Sequence, residues 1–479
     1  MQSHYVMLAA IAAIVLLTAS SCSAAEPVKL GTRLELFVDN ALIDQMKGVS
    51  LRLHHPIPRE EVAKLDAPWE GYGSAYAAVM KDGDTYRMYY RGGFETGREV
   101  TCMMESKDGI RWTRPNLGLF EFNGSKENNI VYIGTRGKAY WESHNFMAFK
   151  DENPAAPPDQ KYKAVGLGRY VTESGDDERA LVAMVSPDAI HWKPLRKEAI
   201  ITFGAFDSQN VVFWDVNRNE YVCYFRVGYK GVRAVSRTTS KDFINWNPPE
   251  HLDHGDSVPE QFYTNAITPY FRDPYWYIGL PMRFVPERKT AGAEKRETDG
   301  LSDAVLLTSR DGLKFDRTFM EAFIRPGLDP GNWGHAHANQ TPNWGIVPNS
   351  AEEMSVYWLQ HYGEAPVIRR GTLRTDGFAS VNAPYAGGEF TTKPLTFAGK
   401  QLVINFATSA VGSVRVEIQD AEGKPIPGYA LADCPETWGD EIERAVEWKS
   451  GSDVSALAGK TVRLRFVMMD ADLYSIRFR

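Results

Sequence analysis

One short phrase recurs along this chain and restricts it to a repetitive, strand-built architecture. It reads Ser106-Lys-Asp-Gly-Ile-Arg-Trp112, Ser186-Pro-Asp-Ala-Ile-His-Trp192, Ser240-Lys-Asp-Phe-Ile-Asn-Trp246, Ser309-Arg-Asp-Gly-Leu-Lys-Phe315 and, in a worn copy, Arg374-Thr-Asp-Gly-Phe378. Asp and Gly tolerate the left-handed backbone of a tight turn, and the following aromatic can cover the turn from the outgoing strand. Each phrase therefore marks the outer hairpin of a repeated unit.

Two strand-like runs precede every phrase. The second run reads Tyr86-Arg-Met-Tyr-Tyr90, Tyr162-Lys-Ala-Val-Gly166, Tyr221-Val-Cys-Tyr-Phe225, Tyr275-Trp-Tyr-Ile278 and Met354-Ser-Val-Tyr-Trp358, rich in β-branched and aromatic residues. The first run lies before it across a polar turn, as in Ala77 to Met80 before Lys81-Asp-Gly-Asp84. Four antiparallel strands per unit, repeated at roughly 55 to 80 residues, predict an all-β chain built as a five-bladed β-propeller over 30–385. Beyond Ala383 the repeat stops, and the alternating runs Val414 to Ile418 and Val462 to Val467 predict a small C-terminal β-sandwich over 386–479. Residues Lys29 to Asp44 could add a strand to either unit.

The 479 residues are 43% hydrophobic, enough for a large core, and the net charge of −7 without a Lys/Arg-rich block argues against a nucleic-acid partner. Leu8 to Leu17 is apolar but short for a membrane span, and Ser23-Ala-Ala25 follows it; residues 1–25 are expected to be a signal peptide that sends the protein to the periplasm or exterior. Cys22 is the alternative, as a lipid-modified anchor. Three cysteines then remain, Cys102, Cys223 and Cys434, in separate segments; no disulfide framework is implied, and Cys102 and Cys223 are expected to pack as small hydrophobes.

In a blade the innermost strand lines the channel and its neighbour returns antiparallel, so the start of the first strand and the end of the second share one rim. That rule gathers Glu70, His144, Asn145, Asp207, Gln209, Asn210, Glu260, Tyr263, Asn265 and His335 to Asn339 with Arg91, Arg169, Arg226, Arg283 and His361. Polar groups so concentrated cost stability unless they bind something. Convergent carboxylates suit glycoside hydrolysis, and the assignment is Glu260 as general acid beside an apolar wall of Phe262 and Tyr263, Asp207 as base or nucleophile, and Glu70 as the third acid. The recurring Arg91, Arg226 and Arg283 favour an anionic group such as a sulfate or uronate. His335-Ala-His337 lacks an evident third metal ligand and is read as part of a sugar-binding rim, with Trp333 as a stacking platform. No metal or cofactor is expected.

The hairpins, the acids at the heads of inner strands and the trailing sandwich resemble the five-bladed propeller glycosidases, the superfamily of glycoside hydrolase families 32, 43, 62, 68 and 117. The resemblance runs from about Leu34 to Arg479. It implies three pocket carboxylates serving as nucleophile or base, transition-state stabiliser and acid, carried here onto Glu70, Asp207 and Glu260. The invertase-type opening Asn-Asp-Pro-Asn-Gly is absent, and Arg272-Asp-Pro274 falls in a turn and reads as a surface hairpin. The expected activity is hydrolysis of a plant or algal polysaccharide or oligosaccharide. A non-catalytic carbohydrate-binding propeller, a sialidase-like hydrolase and a glycoside phosphorylase are the alternatives.

Overall fold

The computed structural model describes residues 26–93, 98–134, 141–171, 174–175, 177–288, 300–333 and 339–479. The signal-peptide segment with Cys22, and His335 with His337, lie outside the described residues. Regular structure among the described residues is almost entirely strand, with a few short 3-10 turns.

Successive sheets appear where the repeat places them. The first runs Ala75–Asp82, Thr85–Gly92, Val100–Ser106, with Ile130–Ile133 and Trp112–Thr113 both on its third strand. The second is Met147–Lys150, Tyr162–Val171, Asp177–Ser186, Lys193–Pro194, and the third Val211–Asp215, Glu220–Tyr229, Val232–Ser240, Glu250–His251. The fourth unit is broken in two: Gln261–Phe262, Met282–Val285 and Leu301–Ala304 form one half, Thr268–Tyr270, Asp273–Gly279 and Leu307–Ser309 the other. In the fifth, Thr341–Pro342 and Val347–Pro348 flank Glu353–Gln360, followed by Val367–Arg374. Its outermost strand, Ile57–Lys64, comes from the start of the chain. The ring closes where the inner strand of the first unit meets that of the fifth: Ala78 and Trp344 form a parallel bridge. Ends of all five inner strands, through Met80, Lys150, Asp215, Tyr270 and Val347, line one cavity at the bottom of the channel.

Inner strands such as Val211–Asp215 are buried along their whole length, which is why they read as continuous apolar runs. Aromatic side chains fill the space between sheets: Phe146, Phe149, Phe206 and Tyr224 are fully buried, each contributing about 1.5–3 kcal/mol of apolar burial.

The repeated phrase is an outer turn, as expected, and its chemistry is uniform. The Ser hydroxyl donates to the Asp carboxylate at 3.0–3.1 Å, while Oδ1 of Asp108, Asp188, Asp242 and Asp311 accepts the N–H groups two and three residues on. The left-handed residue is the one after Asp: Gly109, Ala189, Phe243 and Gly312 all have φ between 67° and 73°. Its carbonyl receives a hydroxyl from the preceding unit, Tyr89 Oη to Ala189, Tyr224 Oη to Gly312 and Tyr357 Oη to Gly109, at 2.5–2.7 Å. Three of these hairpins are thus latches as well as turns. The worn fifth copy departs from this pattern: Asp376, fully buried with φ 64°, accepts from Tyr270 Oη, Arg272, Asn405 and Ser475 and so ties the ring to the sandwich.

Two readings need correction. Residues 28–53 do not belong to the ring. Val28–Gly31 pairs in parallel with Leu395–Phe397, Glu35–Leu36 with Arg463–Phe478, Ile43–Lys47 with Gly388–Thr392 and Ser50–Leu53 with Ala379–Ala383, so both ends of the chain build the sandwich. The boundary at 385 therefore gives way to an interleaved arrangement, because the partners of those short N-terminal strands lie more than 300 residues away. Arg272, in the predicted surface hairpin, is instead pinned by Asp376 and Glu443 of the sandwich side. Cys102, Cys223 and Cys434 are free and buried.

Candidate functional site

At the heads of the inner strands the backbone is repeatedly forced into left-handed conformation: Tyr76 φ 56°, Asn145 φ 55°, Ala266 φ 41° and Gln340 φ 57° occupy this position in four of the five units. None is glycine, and such residues cost of order 1–3 kcal/mol each, a strain characteristic of functional sites. The kinks turn successive side chains toward the channel mouth.

There the units interlock. Arg91 donates to the carbonyl of Gly73 and, through Nη1, to Asn145 Oδ1 at 3.0 Å; its guanidinium lies 5.0 Å from the Tyr76 ring centre. Gln209 reaches across to the carbonyls of Tyr76 and Ala77. Asp207 is gripped from two sides, Oδ1 by Arg226 and Oδ2 by Arg179 at 3.0 Å. Arg226 in turn sits 4.8 Å over the Tyr263 ring. Burial pushes the Tyr76 phenol far above its ordinary pKa, with Tyr263 and Tyr362 adding to the effect and Arg91 and Arg226 opposing it, so its hydroxyl stays neutral. Several buried polar atoms of these strand heads have no partner among the described residues: Ser74 Oγ, Asn145 Nδ2, Ser208 Oγ, Gln209 Oε1, Asn210 Oδ1 and Arg226 Nη1. Unspent donors and acceptors of this kind are what a polyhydroxylated ligand satisfies.

The three acids assigned from sequence part company. Asp207 faces the mouth, with its side chain 34% exposed. Glu70 is 1% exposed and fully engaged by the Ala67 N–H, Tyr90 Oη and Arg114, a structural carboxylate beneath the first unit. Glu260 accepts from Arg283 at 2.7 Å and from Arg317, and Arg283 also binds Asp303. Strand alternation places Glu260 and Phe262 on one face and Gln261 and Tyr263 on the other, so the apolar wall proposed to enclose Glu260 is split between two sides. Arg283, predicted to bind substrate, instead serves the cluster of Glu260 and Asp303.

The remaining predicted residues are distributed as follows. His144 Nδ1 meets Glu99 at 2.7 Å, and burial lowers its pKa, leaving a neutral imidazole. Asn210 Nδ2 is spent on the carbonyls of Phe206 and Ser208. Asn265 is buried and bonds the Tyr224 carbonyl and the Ile267 N–H, a strand-bracing role. His361 Nε2 contacts Asp329 at 2.7 Å, and Trp333 is 40% exposed with its indole N–H on the Gly327 carbonyl. Among the described residues no group of three or more His, Cys, Asp or Glu is disposed to hold a metal ion.

Sequence reasoning missed Arg179 and Tyr76. Arg179 starts a third strand, which shares the rim with the end of the second, so the same sorting rule extended by one strand finds it. Tyr76 sits inside the apolar run Ala75 to Met80, and only its φ reveals it.

No family model matches the chain, and no curated protein does. Among solved structures, a thermostable family-43 glycoside hydrolase is similar at 13% identity over 66% of this chain and 95% of its own, with a TM-score of 0.41. A structure described as showing that the GH130 family of mannoside phosphorylases contains glycoside hydrolases that target β-1,2 mannosidic linkages in Candida mannan gives 14%, 71%, 96% and 0.41. An N-acetylgalactosamine deacetylase from F. plautii, in complex with blood group B trisaccharide, gives 14%, 74%, 96% and 0.41.

Proposed function

We propose that the protein is an exported glycoside hydrolase acting on a plant or algal glycan that carries an anionic group, with Asp207 as its base or nucleophile. The observation that carries this reading is the cluster of Asp207, Arg226, Arg179, Tyr76 and Arg91 at the strained heads of the inner strands. A carboxylate with a guanidinium on each oxygen is fixed as an acceptor, ready to orient an attacking water or an anomeric carbon. The phenol of Tyr76, kept neutral by burial, supplies an O–H group for the sugar or its leaving oxygen, and the ring of Tyr263 lies under Arg226. Arg91 and Arg226 bring two positive charges to the same mouth, which supports a sulfate or uronate on the substrate. The apolar run Leu8 to Leu17 before Ala25 supports export.

Asp207→Asn is expected to lower release of reducing sugar by about 10²–10⁴-fold with unchanged circular dichroism. Full activity in this variant would remove Asp207 from the reaction. The second reading, a carbohydrate-binding propeller without catalysis, is favoured by the departure of Glu70 and Glu260 from the mouth. Under it the wild type retains glycan and releases nothing.

A further inference from the structure

The edge between the third and fourth units is a partition with two working faces. On Val232–Ser240 the residue Arg233 turns toward the mouth, its guanidinium 5.3 Å from the Tyr263 ring and 5.6 Å from that of Phe284. Its neighbours Val232 and Ala234 line a separate cleft on the other side. The strand Gln261–Phe262 alternates in the same sense: Gln261 accepts from the Arg233 backbone and side chain, while Glu260 and Phe262 face the cleft. Two strands one side chain thick therefore separate the mouth from this second cavity.

The cleft has the make-up of a small-molecule site. Its floor is apolar, from Leu252, Val235 and Phe262, all buried. Its rim carries Tyr229, stacked on His251 with ring centres 3.9 Å apart, and Val258, 72% exposed. Polar groups converge from three directions: Lys230 from the hairpin, Glu260 held in place by Arg283 and Arg317, and His254, whose buried Nδ1 has no partner among the described residues. Burial lowers the His254 pKa, which keeps the ring neutral and suited to a hydroxyl. The volume of about 240 Å³ falls short of the roughly 300–1,000 Å³ of drug-sized sites, so it admits one ring and not an oligomer.

We propose that this lateral cleft is a remote subsite that binds a single neutral sugar ring, an outlying residue of the glycan whose reacting bond lies in the mouth. The inference rests on the carbohydrate reading of the mouth. An apolar floor under one face of a ring, hydroxyl-binding groups around its edge and lining charges of both signs select a neutral polyol over an anion or a cation. Position selects a glycan: Tyr229 and Lys230 form the turn at the end of the strand that carries Arg226, so cleft and mouth open on the same side of the ring.

Affinity electrophoresis of the full chain in gels containing xylan, mannan, galactan or alginate tests it, with Tyr229→Ala and Val258→Asp as cleft variants and Asp207→Asn as the mouth variant. Both cleft positions are exposed, so folding is preserved, and Val258→Asp stands alone if Tyr229→Ala fails to fold. The expected result is retardation of the wild type and of Asp207→Asn by at least one glycan, with apparent affinity about tenfold weaker in the cleft variants. Unaltered retardation in folded cleft variants, or no retardation of the wild type by any of the four, would overturn the proposal. Retardation lost in the cleft variants while the wild type releases no sugar leaves the subsite standing and removes the hydrolase instead.

Discussion

Single residues carry the two main lessons of this molecule, one about chemistry and one about space. Asp207 and Glu260 are both acids at the head of an inner strand, and both are paired with two arginines. What separates them is local backbone direction: Asp207, in the bend before Val211–Asp215, faces the mouth, and Glu260, just ahead of Gln261–Phe262, faces the cleft. Composition and spacing could bring both to the same rim; only the register of Gln261 with Phe284 decides which way Glu260 points. Space is the issue at Gly345, with φ 106°. A methyl there would lie 2.0 Å from the Val79 carbonyl oxygen, at the seam where the first and fifth units meet. Gly345→Ala is therefore expected to destabilise by more than about 3 kcal/mol, because both backbone strain and a clash with an immovable carbonyl must be absorbed. Thermal unfolding checks this; a melting temperature within a degree of wild type would contradict the seam as described.

At the scale of the element, the turns hold acids in place, and this gives the fold a defined response to pH. At the end of the first unit's inner strand, burial by itself would raise Asp82, but Lys150, Tyr162 and Arg87 outweigh it and hold the carboxyl at about 2. The N–H of Arg111 leads in holding Asp108 at about 2; for Asp188 and Asp242 burial opposes the shift and the N–H groups of His191 and Asn245 overcome it, also to about 2. An unfolded Asp titrates near 3.9, above these folded values, so the stabilisation is complete above about pH 4 and disappears as pH falls toward 2. Melting temperature should accordingly decline steeply between those limits. Asp82→Asn, which leaves three donors with a weaker acceptor, is expected to cost about 1–3 kcal/mol at neutral pH and to flatten the acid decline. A variant with the wild-type acid profile would count against this role for Asp82. The hairpins were legible in the sequence because Ser, Asp and the aromatic act within seven residues of one another. The tyrosine latches that join one unit to the next were not, since Tyr89 and Ala189 are a hundred residues apart.

For the whole molecule, the sequence disclosed an all-strand architecture of repeated sheets, carried by local periodicity. It left open where Lys29 to Asp44 go and wrongly kept the residues up to Leu53 in the ring, because a short strand states its own conformation but not its partner. In the structure residues 28–64 supply four strands to the sandwich and then Ile57–Lys64 to the fifth unit. Removal of residues before 65 is expected to leave both units incomplete, Val367–Arg374 exposed as an unpaired edge, and the truncated chain aggregated. Size-exclusion chromatography of the truncated chain beside the full one tests this; a soluble species without aggregate and with a cooperative melt would show that the segment is dispensable.

The pairing of Glu35 with Ile476 has a bearing on how the protein is made. Glu35 leaves the ribosome hundreds of residues before Ile476, so its strand emerges long before its mate. During that interval its free hydrogen-bonding edges are open to wrong partners, which makes a holding chaperone, or refolding after release, part of the production of an active molecule.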